Sequence, residues 1–388
     1  MTPRERLLAV LHGQLPDCVP CCPDISNMVP CRLTGKPFWE IYAFHNPPLW
    51  KAHIDALNYF DLDGGFEMYY FDPFPDETAP KWEERVVKRF DDGGFATQKY
   101  SPQTGEWQGS LLVYTADNPP AYGVKPETVG LPATPTEWEE LTGGVKGWPT
   151  SDDTWEGMTP WLQAREYLGD RGVIGIPSGI STCLVHSPEE IYAYYDDPEP
   201  FRAASRAAME RLEKRMEKIA NMNPRPDFLF CGCSGSLIWQ TPAMFRELAL
   251  PGLKKATEMA YDIGIPTHVH SCGPEAKLVK MAAEETRLTV IDPLEIPPMG
   301  DCDLAELKQR YGSKIVLKGN LHTTDVMLRG SVLSGGVDDV VRASKKAIDD
   351  AGAGGGFILS TGDQCGRDTP DANIRAMVEV ARTYGRYK

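Results

Sequence analysis

The 388 residues read as an α/β chain, and their pattern fits a (β/α)8 barrel with an irregular, partly β insertion after the second strand. Three observations carry this. From residue 170 on, six short apolar runs alternate with helical patterns. Two more candidate strands precede them. Between the two groups, residues 72–162 break the rhythm. Strands that alternate with helices pair in parallel through right-handed crossovers. The same alternation also permits an open doubly wound sheet, so the pattern alone leaves both architectures standing.

The elements follow in order. Thr2-Pro3-Arg4-Glu5 is a capping box with Pro in the first helical turn, so a helix should run to about His12. Val19-Pro20-Cys21-Cys22 reads as the first strand, and the stretch near Gly65-Phe66-Glu67-Met68 as the second. The later strands are expected at Val173–Ile176, Phe228–Cys231, Thr267–His270, Thr289–Ile291, Ile315–Leu317 and Phe357–Leu359. Phe201, Ala208, Leu212, Met216 and Ile219 share one helix face. Thr241-Pro242 opens a short helix, and Pro251-Gly252 should interrupt it before a second helix from Leu253 to Ile263. Gly352 should end a helix, with Gly354 to Gly356 a tight connection into the last strand. These glycines precede a strand, so they do not match a phosphate loop at a helix start. Thr369-Pro370 opens the last helix. The reading is one barrel domain over 1–388, with 72–162 as an insertion or lid within it.

Composition excludes several classes. Forty basic against 55 acidic side chains give a net charge of −15, which argues against nucleic-acid or anionic-membrane partners. No apolar run nears the ~20 residues of a membrane span, so a soluble, cytoplasmic protein is expected. Ten cysteines, spread from Cys18 to Cys365, do not make a compact disulfide framework. Six of the nine tryptophans fall between Trp82 and Trp161. They either form a small core for the insertion or line a pocket for a small organic molecule, together with Tyr69, Tyr70, Tyr100, Tyr114 and Tyr122. The oligomeric state is left open, a homo-oligomer included.

Barrel enzymes carry their chemistry at the C-terminal ends of the strands. Here those ends hold Asp24, Glu67, Tyr69, Tyr70, Ser178, Cys231, Cys233, His268, His270, Cys272, Asp292, Glu295, Asn320, His322, Asp363 and Cys365. Residues two apart on a strand share a face, so His268, His270 and Cys272 converge. Imidazole and thiolate together are zinc chemistry, and three protein ligands leave a position open for catalysis. Cys365, from another strand end, is the expected third ligand. Cys231 and Cys233 read instead as small residues packed in a strand end. Glu67, Asp292, Glu295 and Asp363 are the candidate proton-transfer groups. Tyr69, Tyr70 and His268 are expected to contact substrate, and Asn320 and His322 the cofactor.

The sequence resembles the uroporphyrinogen decarboxylase superfamily, and within it the corrinoid-dependent methyltransferases. The carriers are Thr2-Pro3-Arg4-Glu5-Arg6, Phe245-Arg246-Glu247 to Leu250-Pro251, Gly264-Ile265-Pro266, His270-Ser271-Cys272-Gly273, Lys318-Gly319-Asn320 and Thr369-Pro370-Asp371-Ala372-Asn373-Ile374. The resemblance implies a (β/α)8 barrel and a zinc held by His270, Cys272 and Cys365. His268 is then a spare ligand, and Glu247 is kept in view because some demethylating relatives use carboxylates. It also implies a corrinoid. No Asp-x-His-x-x-Gly motif occurs in the chain, so the corrinoid is expected on a separate partner protein. The expected activity moves a methyl group from a small methylated substrate, a methoxylated aromatic, to Co(I), with zinc as Lewis acid. Three alternatives stay open: a methyl-corrinoid:thiol methyltransferase using a zinc thiolate, a decarboxylase-type lyase, and a non-catalytic zinc scaffold for a corrinoid protein. The lyase is disfavoured. Pro23 to Met28 lacks the arginines that bind propionates in decarboxylases, and Ser360 to Cys365 replaces their Asn-Leu-Gly-His-Gly.

Overall fold

Thr2 caps the first helix, Pro3–Leu11, through the expected reciprocal bonds with Glu5. That helix turns Leu7, Val10 and Leu11 onto Cys22, Phe66, Val173, Phe228, Val290, Val316 and Ile358. The apolar floor of the barrel is built this way. The computed structural model describes the chain apart from residues 69, 76–81, 133–145, 148–155, 233–234 and 330–335.

Strands β1 (Glu83–Arg89), β2 (Phe95–Tyr100), β3 (Trp107–Tyr114), β4 (Ala121–Val124) and β5 (Lys146–Gly147) form an antiparallel sheet in the order β4-β3-β2-β1-β5. Strands β6 (Gly175–Pro177), β7 (Phe228–Phe230), β8 (Thr267–His270), β9 (Val290–Asp292), β10 (Val316–Leu321) and β11 (Phe357–Thr361) form a second sheet in sequential order, every pair parallel. All six expected late strands are present.

The two early strands are shorter than expected, because each is reduced to a bridge. Cys21 bridges Leu359, and Gly64 bridges Gly172. Pro20 and Pro23 cannot donate to a ladder, which limits the first. At the second the backbones meet so closely that a Cβ on Gly65 would lie 1.7 Å from the Val173 carbonyl oxygen. These contacts still close the ring. Cys22 N–H donates to the Leu359 carbonyl (2.9 Å), Asp63 N–H to Cys21 (3.0 Å) and Val173 N–H to Gly64 (3.0 Å). The pattern's two options thus resolve as the barrel.

Pro251 also departs from expectation. It does not break a helix but starts one: Leu250–Asp262 follows Pro242–Leu248 directly, with Pro251 in its first turn, where the missing N–H costs nothing. Gly93-Gly94 makes the hairpin turn between β1 and β2. The antiparallel sheet leans on the barrel through Phe38 N–H to the Ala116 carbonyl (2.8 Å) and Arg367 to the Asp117 carbonyl (3.1 Å). Among the described residues no helix is long and apolar enough to cross a membrane. The nine described cysteines are free thiols.

Candidate active site

The strands are apolar at the floor and polar one step further along. Val290 gives way to Asp292 and Val316 to Lys318, at the two-residue spacing that keeps a side chain on one face. His268 and His270 both point at Asp292. His268 Nε2 lies 2.9 Å and His270 Nδ1 3.1 Å from Asp292 Oδ1, and the Lys318 ammonium donates to Oδ2. Lys318 also reaches Glu67 Oε1 at 3.4 Å. Its side chain is 2 % exposed, and a lysine so buried needs carboxylate partners.

Charge follows from this packing. Burial works against an ionised Asp292, but Lys318 and the two imidazoles outweigh it and hold the carboxyl well below its usual range. Burial likewise works against the Lys318 ammonium and a His270 imidazolium. Asp292 outweighs it in both and raises them. For His268 burial prevails and favours the neutral ring. Glu67 is the reverse of Asp292. Burial dominates, Lys318 offsets only part of it, and the carboxyl is pushed up to about 7. Burial also raises Asp24.

Asp24, Glu67, Tyr70, His268, His270 and Asp292 line one cavity of about 110 Å³ at the barrel mouth, with Phe66. Five predicted site residues therefore meet there. His270 Nδ1 is tied to Asp292, so Nε2 faces Asp363 Oδ1 at 3.6 Å, and the ring also contacts the Cys272 thiol. Asp363 sits at φ 111°, a left-handed conformation uncommon outside glycine.

Other expected residues are placed differently. Glu295 accepts the Gly273 N–H (2.5 Å), Asn320 donates to the Leu294 carbonyl (3.1 Å), and His322 caps the helical turn Thr323–Leu328 by accepting the Asp325 N–H (3.1 Å). These three border a separate recess of about 10 Å³, room for roughly one water. Glu247 is excluded from the mouth. It lies on the outer helix Pro242–Leu248, bonded to Tyr194 and Arg202. Tyr69 and Cys233 lie outside the described residues.

Among the described residues, none of the insertion's aromatics lines the mouth cavity. Tyr100 carries the Arg85 guanidinium 3.7 Å from its ring centroid, with Trp107 on the same cation. Tyr114 stacks on Phe95 and Tyr122 is exposed. Trp161 is buried in the main core, and Trp138, Trp148 and Trp155 lie outside the described residues. Of the described tyrosines, Tyr70, which precedes the sheet, borders the cavity. Tyr100, Trp107 and Tyr114 serve the insertion's own packing.

Cys365 is fully buried, and burial pushes its thiol up to about 12, with Thr361 and Thr369 acting weakly in the other direction. As placed, no three His, Cys, Asp or Glu among the described residues are grouped to hold a metal ion. The donor chemistry nonetheless fits zinc at His270 and Cys272. Asp292 fixes His270 through Nδ1, as carboxylates orient metal-binding imidazoles. Cys365 backs the same mouth, its N–H donating to the Asp24 carbonyl (2.8 Å).

Two residues at the centre, Lys318 and Asp24, were not among the residues given roles from sequence. A lysine directly after the apolar run Ile315-Val316-Leu317, on the same strand, was the available signal, since buried lysines require carboxylates.

Comparison with known proteins agrees with this geometry. The solved methyltransferase from Methanosarcina mazei superimposes with a TM-score of 0.57 at 18% identity, over 99% of each chain. This shows a shared fold. A D-psicose 3-epimerase solved in the presence of D-fructose matches at 12% identity and a TM-score of 0.30, over 58% of this chain and 80% of that one. No curated protein matches the chain. Residues 234–384, which carry β8 to β11 and with them His268, His270, Asp292 and Lys318, match the family model described as uroporphyrinogen decarboxylase (URO-D).

Proposed function

We propose that the chain is a methyltransferase that takes a methyl group from a small methylated substrate and passes it to a corrinoid carried by a separate protein. The observation that carries this reading is the mouth cavity, where a carboxyl poised near neutral pH (Glu67) shares about 110 Å³ with the fixed imidazole of His270. The solved structure of the same fold, a methyltransferase by name, supports the reaction class. Engineered apolar cavities of about 150 Å³ hold a benzene ring. The cavity here is smaller, so it admits the methoxy end of an aromatic substrate while the ring stays at the mouth beside Tyr70.

The proton balance falls to the chain's own residues. When the methyl group leaves, the oxygen keeps the electron pair of the broken bond and needs a proton. Glu67 supplies it, because its carboxyl holds a proton at neutral pH. Asp292 cannot, since Lys318 and the imidazoles keep it ionised. Its role is to fix His270. The partner's Co(I) is the nucleophile that receives the methyl group. Zinc held by His270, Cys272 and Cys365 would supply a Lewis acid at the leaving oxygen.

The small cavity also suits a short thiol, so methyl transfer from a methylated corrinoid protein to a thiol is the second reading. One assay separates the readings: mix the protein with a reduced corrinoid protein and methoxylated donors, and follow the cobalt absorption. Donor-dependent methylation is expected. No cobalt change with any donor, and no thiol-dependent demethylation of the methylated corrinoid protein, contradicts both. Carbon dioxide released from a carboxylated tetrapyrrole points to the lyase.

A further inference from the structure

The opposite end of the barrel carries a larger cavity, of about 770 Å³, within the ~300–1,000 Å³ range of small-molecule sites. It lies between the end of the first helix and the turns that lead into β8, β9, β10 and β11. Its electrostatics run against those of the chain. The protein carries 55 acidic residues and a net charge of −15, yet no Asp or Glu lines this cavity, whereas His12, Arg287 and Lys314 do.

Helix ends are the ordinary use for such cations, since the last carbonyls of a helix carry partial negative charge. Here those carbonyls are already engaged. Gly13 and Gln14 N–H donate to Val10 and Ala9, Gly264 and Ile265 to Tyr261 and Ala260, Thr286 to Ala282, Gly312 to Lys308, and Gly352 to Ile348. Lys308, at the rim, is taken up by the Gly355 carbonyl. Arg287 and Lys314 are exposed, and neither forms an ion pair with any described residue. Two formal positive charges are therefore left facing a carboxylate-free cavity.

The wall has a second feature. The Arg287 guanidinium lies 4.7 Å from the centroid of Tyr261, whose residue is 61% exposed. One face of the phenol ring is covered by the cation and its edge donors stay available, while exposed ring surface remains for a planar partner. Guanidinium donors match phosphate geometry, and aromatic rings stack on bases. Gly354, Gly355 and Gly356, at φ 76°, 80° and 65°, close the far side with bare backbone.

We propose that this floor cavity binds a nucleoside phosphate, with its phosphates on Arg287 and Lys314 and its base against Tyr261. The site is separate from the mouth, so the proposal stands or falls independently of the methyl-transfer reading. The test is calorimetric titration of the full chain with ADP at low salt, with inorganic pyrophosphate in parallel. Saturable binding of one ADP per chain is expected. The double variant Arg287→Ala/Lys314→Ala should weaken it by about tenfold or more, as loss of charge-assisted contacts implies. Tyr261→Ala should bring ADP down to the affinity of pyrophosphate. All three side chains are exposed, and circular dichroism checks that the variants fold. No saturable ADP binding by the wild type, or binding unchanged in the double variant, overturns the proposal. Equal affinity for ADP and pyrophosphate in the wild type overturns its nucleoside part.

Discussion

The barrel mouth and the antiparallel sheet of the insertion both concentrate residues that chemistry favours, and they use them in opposite ways. In the sheet, neighbours satisfy one another. Arg85 lies over Tyr100, Tyr114 on Phe95, and the Tyr114 hydroxyl donates to Glu84 at 2.8 Å. At the mouth, groups from separate strands converge on one cavity, and their charges are set by burial as much as by pairing. Asp292 is held ionised while Glu67 keeps a proton to about pH 7. Abundance of one residue type therefore marks packing in this chain, whereas convergence from different strands marks chemistry.

Several measurements sharpen or break this contrast. The largest effect is expected from Lys318→Met. It leaves Asp292 without its ammonium partner in a buried setting, and breaking a buried pair typically costs about 3–5 kcal/mol. Denaturant unfolding should show a loss of this size. A loss below about 1 kcal/mol would mean that the pair is not buried as described.

Next is the carboxyl. If Glu67 donates the proton, the methyl-transfer rate is level below its pKa and falls as pH rises through about 7, because only the protonated form serves. Glu67→Gln should lower the rate by about 10²–10⁴-fold, the usual range for general acid catalysis, and should abolish that fall. A wild-type rate that climbs through the same window contradicts the assignment.

Metal content bears on the mouth in a different way. Elemental analysis should find zinc in the wild type and a loss in both Cys272→Ala and Cys365→Ala. Full retention in both variants would end the His270, Cys272, Cys365 assignment.

The smallest effect belongs to the insertion. Arg85→Ala removes a half-exposed cation–π contact, worth about 0.5–1 kcal/mol, and should leave the methyl-transfer rate within about twofold.

The sequence exposed much of this contrast, and its gaps have physical causes. His268, His270 and Cys272 are legible because a strand's two-residue period aligns neighbours on one face. The apolar strands β6 to β11 are legible for the same local reason. The Lys318 pairings are not local: its partners stand 26 and 251 positions away, and only barrel closure brings Glu67 to Lys318. Asn320 and His322 sit at a strand end as expected, yet their hydrogen bonds go to the Leu294 carbonyl and the Asp325 N–H. A strand-end position does not reveal which residues are occupied by holding their own loop. Pro251 misled because a proline that breaks a helix interior also suits a first turn. The insertion's aromatics left a small core and a pocket both open, because composition does not show which rings already have partners.

The most direct test sets the two regions side by side in one assay, with a reduced corrinoid protein and a methoxylated donor. The account predicts that Glu67→Gln slows methyl transfer by about a hundredfold or more while Arg85→Ala and Tyr100→Leu run at the wild-type rate. Loss of activity in the two insertion variants, with Glu67→Gln unaffected, would place the chemistry in the insertion and contradict it.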